Sequence, residues 1–260
     1  MTAMPAVFFG HGSPMNTFED TAVTRAWRDF GASVPRPRAI LSISAHWFIN
    51  ATAVTAMAHP RTIHDFFGFP RELFDFQYPA PGDPALAAEV VEAVAPVWVG
   101  LDIDSWGLDH GTWSVLHHAF PDADIPVVQL SINAAQPLEY HVAVGRALAP
   151  LRESGVLIVG SGNVVHHLGM LDWGLTEGGF DWAHRFDDAV RDLLTSRPGD
   201  LASIADHPDL PTAVPTPDHF LPVAYLAGLA DASGRPAELL FQGYAYGSLS
   251  MTSYVVPAAA

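Results

Sequence analysis

The chain has no cysteine and no lysine, and each absence removes a class of chemistry. Without thiols there can be no disulfide, no Fe–S cluster, no Cys-ligated zinc and no thiolate nucleophile. All twelve basic residues are arginines, so a lysine Schiff base and a Walker-A phosphate lysine are excluded. Positive charge is scarce altogether. The formal net charge of −16 leaves no basic stripe to displace counterions from nucleic acid. It does not forbid an anionic small molecule, because a local arginine or metal outweighs a diffuse field. Long apolar runs are missing too, and no basic N-terminal segment leads into one. Neither a membrane span nor a secretory leader is expected, and the chain reads as soluble and cytoplasmic.

What is present points to one large domain. The chain has 260 residues, 49% of them hydrophobic against 15% charged, which is enough to bury a substantial core. Apolar runs at Ala6–Gly10, Ala39–Ala45, Thr52–Met57, Ile125–Ser131 and Val156–Gly160 predict strands. Helical spacing covers Thr21–Phe30, Pro84–Val94, Thr112–Phe120, Pro137–Ser154, Trp182–Ser196 and His219–Ala230. Closing strands are expected at Glu238–Phe241 and Ser248–Val256. This alternation predicts a single α/β domain over 1–260, a mixed, mostly parallel sheet covered by helices on both faces. The segment His59–Asp83 is long for a loop in such a domain, which marks it as functional.

Histidine carries the chemistry. His11, His46 and His166 each follow an apolar strand, within small-residue turns. In an open α/β sheet, ligands and catalytic groups gather where strands end, so three imidazoles arriving at one edge can assemble a metal site. The turn before His166, Gly160-Ser-Gly-Asn-Val-Val, is not a dinucleotide fingerprint, and no Gly-x-Ser-x-Gly elbow occurs. His167 is an adjacent competitor. His110, in Asp109-His-Gly111 before a helix expected from Thr112, is a candidate acid, base or oxyanion stabiliser, with local capping by Asp109 or Thr112 as the alternative. In Pro215-Thr-Pro-Asp-His219, Asp218 is a natural N-cap, which puts His219 in a first helical turn where the dipole favours a neutral, ligating ring. The His117-His118 pair reads as structural or exposed.

These blocks, taken in order, resemble the class III extradiol ring-cleavage dioxygenases, in particular the single-domain DOPA 4,5-dioxygenase type. The matching stretches include Gly10-His-Gly-Ser-Pro-Met-Asn16, Ile43-Ser-Ala-His-Trp-Phe48, Thr62-Ile-His-Asp-Phe-Phe-Gly-Phe-Pro70 and Tyr78-Pro-Ala-Pro-Gly82. They continue with Gly107-Leu-Asp-His-Gly-Thr-Trp113, Gly160-Ser-Gly-Asn-Val-Val-His166, Pro215-Thr-Pro-Asp-His219 and Gly247-Ser-Leu-Ser-Met251. The resemblance implies His11 and His46 as metal ligands, His219 approaching the metal, and His166 as catalytic base or fourth ligand. His110 falls where the family has a histidine close to substrate and dioxygen. Protocatechuate-type members use a glutamate as third ligand, and no glutamate here sits in a matching motif.

The implied reaction is insertion of O2 beside the diol of a catechol, with Fe(II) expected for activity. An all-imidazole set suits Zn(II) as readily. The implied partners are a small aromatic diol and O2, and the oligomeric state is left open. His64 and Trp47 are the candidate substrate contacts; Phe67 marks a possible lid, and Arg61 and Arg71 flank that loop. Alternatives are a zinc-dependent hydrolase on the same histidines, a non-catalytic binding relative, and a different dihydroxy or aminophenol substrate.

Overall fold

Apolar runs and amphipathic stretches alternate along the chain. In the computed structural model, which describes residues 3–258, they form strands and helices in that order. The strands are β1 (Ala6–Gly10), β2 (Ala39–Ile49), β3 (Ala53–Thr55), β4 (Arg61–Thr62), β5 (Gly100–Asp102) and β6 (Gly107–Leu108). They continue with β7 (Val127–Asn133), β8 (Val156–Gly162), β9 (Glu238–Phe241), β10 (Tyr244–Ala245), β11 (Leu249–Ser250) and β12 (Ser253–Val256). The α-helices are α1 (Ala22–Ser33), α2 (Arg71–Asp75), α3 (Pro84–Ala93), α4 (His110–Ala119), α5 (Leu138–Glu153), α6 (Asp181–Ser196), α7 (Leu210–Ala213) and α8 (Leu221–Ser233).

Eight strands form one sheet in the order β5-β3-β7-β2-β8-β1-β12-β9. Its centre, β7-β2-β8-β1, is parallel; β12 and β9 add antiparallel on one side, and β3 meets β7 antiparallel on the other. The sheet is therefore mixed and mostly parallel, with the first and last strands side by side. Central parallel strands buried on both faces read as near-continuous apolar runs, which is why Ala39–Ile43, interrupted only by Ser42, and Val156–Val159 were legible. Alternate residues feed two cores. Phe8, Leu41 and Ile158 pack with residues of α3, α5, α6 and α8, whereas Phe9, Ile40 and Val159 pack with Trp27 of α1 and Trp113 of α4. Burying each such side chain contributes about 1.5–3 kcal/mol.

The structure moves several expected boundaries. α1 runs past Gly31 to Ser33, because Gly31 is a packing position: a Cβ there would lie 2.0 Å from the Ala119 carbonyl oxygen. α4 begins at His110 rather than near Thr112, since Asp109 accepts from the Thr112 N–H as its N-cap. α8 begins at Leu221, so His219 lies before the helix and not in its first turn. Asp218 does not cap it; the Phe220 and Leu221 N–H groups turn back to the Pro217 carbonyl instead. The loop over His59–Asp83 holds β4 and α2, and β4 pairs with β6. The edge strand β5 is short and half-exposed, too brief to leave a period-2 pattern.

Candidate metal centre

The parallel strands set the site by register. Gly10 of β1 sits opposite Gly162 of β8, and Ser44 of β2 opposite Ser161. His11 leaves β1 with its N–H on the Gly162 carbonyl, 3.0 Å away. His46 lies inside β2, not beyond its end as its spacing predicts. There the register against β7 slips between Ile43 and Phe48, an irregularity of the kind that re-aims side chains. Two close approaches close the cluster. A Cβ on Gly111 would lie 2.9 Å from the His46 ring, and one on Gly162 would lie 2.2 Å from the His219 carbonyl oxygen. Glycine is required at both points.

His11, His46, His110 and His219 converge. The His46 ring centroid is 3.9 Å from that of His110 and 5.0 Å from that of His219, and His11 is 5.1 Å from His46 and 5.3 Å from His219. His166 stacks on His219 at 3.6 Å with an interplanar angle of 2°. The Ser161 hydroxyl donates to the Gly111 carbonyl at 2.5 Å, so its oxygen accepts from His11 Nδ1 at 3.0 Å. Asp218 accepts from His219 Nδ1 at 2.5 Å. Asp65 reaches His46 Nδ1 at 2.9 Å and His110 Nδ1 at 2.8 Å.

With Nδ1 occupied, the rings of His11 and His46 turn Nε2 toward one another. The Nε2 atoms of His11 and His46 face each other at 3.1 Å. Two lone pairs at that distance repel unless a proton or a cation lies between them. Nitrogens bound to one tetrahedral ion are about 3.3 Å apart, so the donor set fits a divalent transition metal. The ligand atoms of His11, His46 and His110 all lie within 4.8 Å of one another.

Electrostatics agree with neutral rings. Burial pushes His11 well below its ordinary value, and the charges of His46 and His219 add to it. Burial also lowers His166 to about 2, with His219 adding, and His219 to about 4 against the Asp218 hydrogen bond. His110 is lowered by burial and by His46, against its bond to Asp65. His46 is the exception. Burial depresses it, but the Asp65 hydrogen bond and the charges of Asp109, Asp65 and Asp218 raise it overall.

Other residues singled out in the sequence lie outside this group. His64 bonds the Phe76 carbonyl through Nε2 at 2.9 Å and packs on Phe66 and Trp113. Trp47 is buried and stacks on Trp106 at 5.9 Å. Phe67 is 92% exposed. Arg71 pairs with Asp75, and Arg61 bonds the Ser105 carbonyl. The His167 N–H goes to the Ser248 carbonyl, while His118 bonds the Asn16 carbonyl. Asp65 and Ser161 were not singled out, because their partners come from remote segments. The one local signal was an aspartate beside His64 in an unusually long loop.

The family described as the catalytic LigB subunit of aromatic ring-opening dioxygenase matches residues 5–257. A 4,5-DOPA dioxygenase extradiol from Escherichia coli (strain K12) is 48% identical over 256 residues, 97% of this chain and 94% of that protein. A protein of the same name from Beta vulgaris is 36% identical over 257 residues, 95% of this chain and 94% of that protein. The crystal structure of an uncharacterized protein from Escherichia coli K12 superposes with a TM-score of 0.86 at 43% identity, covering 98% of this chain and 100% of that one.

Proposed function

Because the chain belongs to the family of the catalytic LigB subunit of aromatic ring-opening dioxygenases, we propose that it cleaves a substituted, DOPA-like catechol beside its diol at a non-haem metal. One catalytic domain over 1–260 carries the activity, in the cytoplasm, with O2 as the second substrate. The observation that carries this reading is the pair of Nε2 atoms of His11 and His46 facing each other at 3.1 Å. His11, His46 and His219 hold the metal in this proposal.

Fe(II) is the ion proposed for activity; held by these imidazoles it would supply open positions for diol and O2 and the redox chemistry that joins them. Zn(II) suits the same imidazoles but has no redox chemistry. His166, kept neutral by burial, has a lone pair for the proton of the second catechol hydroxyl. His110 holds its Nδ1 proton toward Asp65, so Nε2 is the atom it offers to reacting oxygen. Phe66 packs on His110 at 5.5 Å and on Trp113 at 6.1 Å, an apolar wall that limits water.

The test is oxygen uptake by metal-free protein reloaded anaerobically with Fe(II) or Zn(II). DOPA, protocatechuate, caffeate and unsubstituted catechol are the substrates. The expected result is iron-dependent O2 loss with a new yellow absorbance, fastest with DOPA. Equal rates with zinc and iron would sink the proposal.

A further inference from the structure

The loop expected to be functional delivers a carboxylate to the histidine cluster. Its start is pinned to the entry of α4. β4 pairs with β6, the Ile63 N–H donates to the Leu108 carbonyl at 2.7 Å, and the Trp113 indole donates to the Ile63 carbonyl at 2.8 Å. Asp65 and His110 are thereby fixed in one frame. Asp65 Oδ1 accepts both the backbone N–H of His110 at 3.1 Å and its Nδ1 at 2.8 Å, and Oδ2 faces His46 Nδ1 at 2.9 Å.

We infer that Asp65 is a shared positioning residue: one carboxylate holds the Nδ1 protons of both His46 and His110, and so keeps both Nε2 lone pairs free. A carboxylate is acceptor-only, and it is the side chain that can demand a proton from two imidazoles at once. His11 and His219 each have their own partner, Ser161 and Asp218. His46 and His110 share theirs, so one substitution disturbs a proposed ligand and the histidine proposed to face reacting oxygen together. The part concerning metal rests on the proposed function; the part concerning ring tautomers does not.

Asp65→Asn tests this at constant size. Its amide replaces one acceptor by a donor, which must face one of the two rings. That ring then loses its hydrogen bond or moves its proton to Nε2, where it blocks a ligand position. Zn(II) affinity measured by chelator competition should fall about 10–100-fold. In 15N-histidine spectra of the metal-free full-length chain, recorded at alkaline pH where both rings are neutral, wild type should show Nδ1–H at both His46 and His110. In Asp65→Asn one of the two should become Nε2–H or lose its defined tautomer. Unchanged affinity together with unchanged spectra would overturn the inference, as would an Nε2–H at either ring in wild type, a measurement that needs no variant to fold. If wild type binds no zinc at all, the metal proposal fails while the spectra still decide the role of Asp65.

Discussion

Two carboxylates in this molecule, one half-buried and one fully buried, have opposite fates. Asp65 meets imidazole N–H groups on both oxygens and is held ionised. Asp187, on α6, is fully buried and meets only hydroxyls: Thr252 at 2.6 Å and Tyr244 at 2.7 Å, both on Oδ2. Its Oδ1 has no partner among the described residues. Burial pushes its carboxyl up, despite the bonds from Thr252 and Tyr244. Asp187 is the more deeply buried of the two, and its hydroxyl partners carry no charge to offset that burial. A carboxylate beside rings that can carry charge organises a site; one beside hydroxyls ties α6 to the C-terminal strands.

The largest expected effect is on the histidine side. His11→Ala or His46→Ala removes one of the two facing nitrogens, and metal content after dialysis should drop from near stoichiometric to background. His166→Ala should instead keep its metal and lose about 10²–10⁴-fold in turnover, the usual contribution of a general base. Near-normal turnover of metal-loaded His166→Ala would remove it from the base role.

The two aspartates should then separate cleanly. Asp187→Ala leaves two buried hydroxyls without their acceptor, at about 1–3 kcal/mol each. It should lower the melting temperature by several degrees, at about 2–4 °C per kcal/mol for a chain of this size, with zinc affinity unchanged. Asp65→Asn should do the reverse, weakening metal binding with little change in melting. If Asp187→Ala weakened metal binding as much as Asp65→Asn does, the contrast between tie and organiser would collapse.

Much of this arrangement was visible in the amino-acid order. His11 follows an apolar strand, His46 lies inside one and His166 comes shortly after a third, and the parallel strands bring them to one edge; His110 instead opens α4, and His219 precedes α8. The pairing partners were not visible. Ser161 reads as part of a small-residue turn, and Asp65 as a loop residue, because their hydrogen bonds cross 150 and 45 positions of sequence. Asp218 was legible as a carboxylate beside His219, but its expected capping role gave way to the imidazole. Edge strand β5 left no signal, since a short half-exposed strand needs no apolar alternation.

A smaller effect concerns pH. His166, His219 and, outside the site, His141 are lowered by burial, to about 2, about 4 and about 4. In the unfolded chain these rings take up protons near pH 6.5. Between the folded and unfolded values the unfolded state binds more protons, so stability rises with pH there. It is fully present above about pH 6.5 and lost as pH falls toward about 4. Metal-free protein should follow this slope in urea titrations. His141→Gln, which removes a ring bonded to Tyr225 at 2.9 Å and packed on Tyr140, should flatten the slope without changing zinc affinity. An unchanged slope would mean that His141 titrates normally in the folded chain. Asp187 has the opposite sign: its raised carboxyl makes the folded state the better proton binder, so its contribution declines as pH rises above about 4.

The most direct test of the central claim is the stoichiometry of O2 to catechol in protein loaded with one equivalent of Fe(II). The account predicts one O2 consumed per DOPA cleaved, with consumption abolished in His46→Ala at equal added iron. Stoichiometric iron bound at the histidines, with no O2 uptake on any catechol, would contradict it.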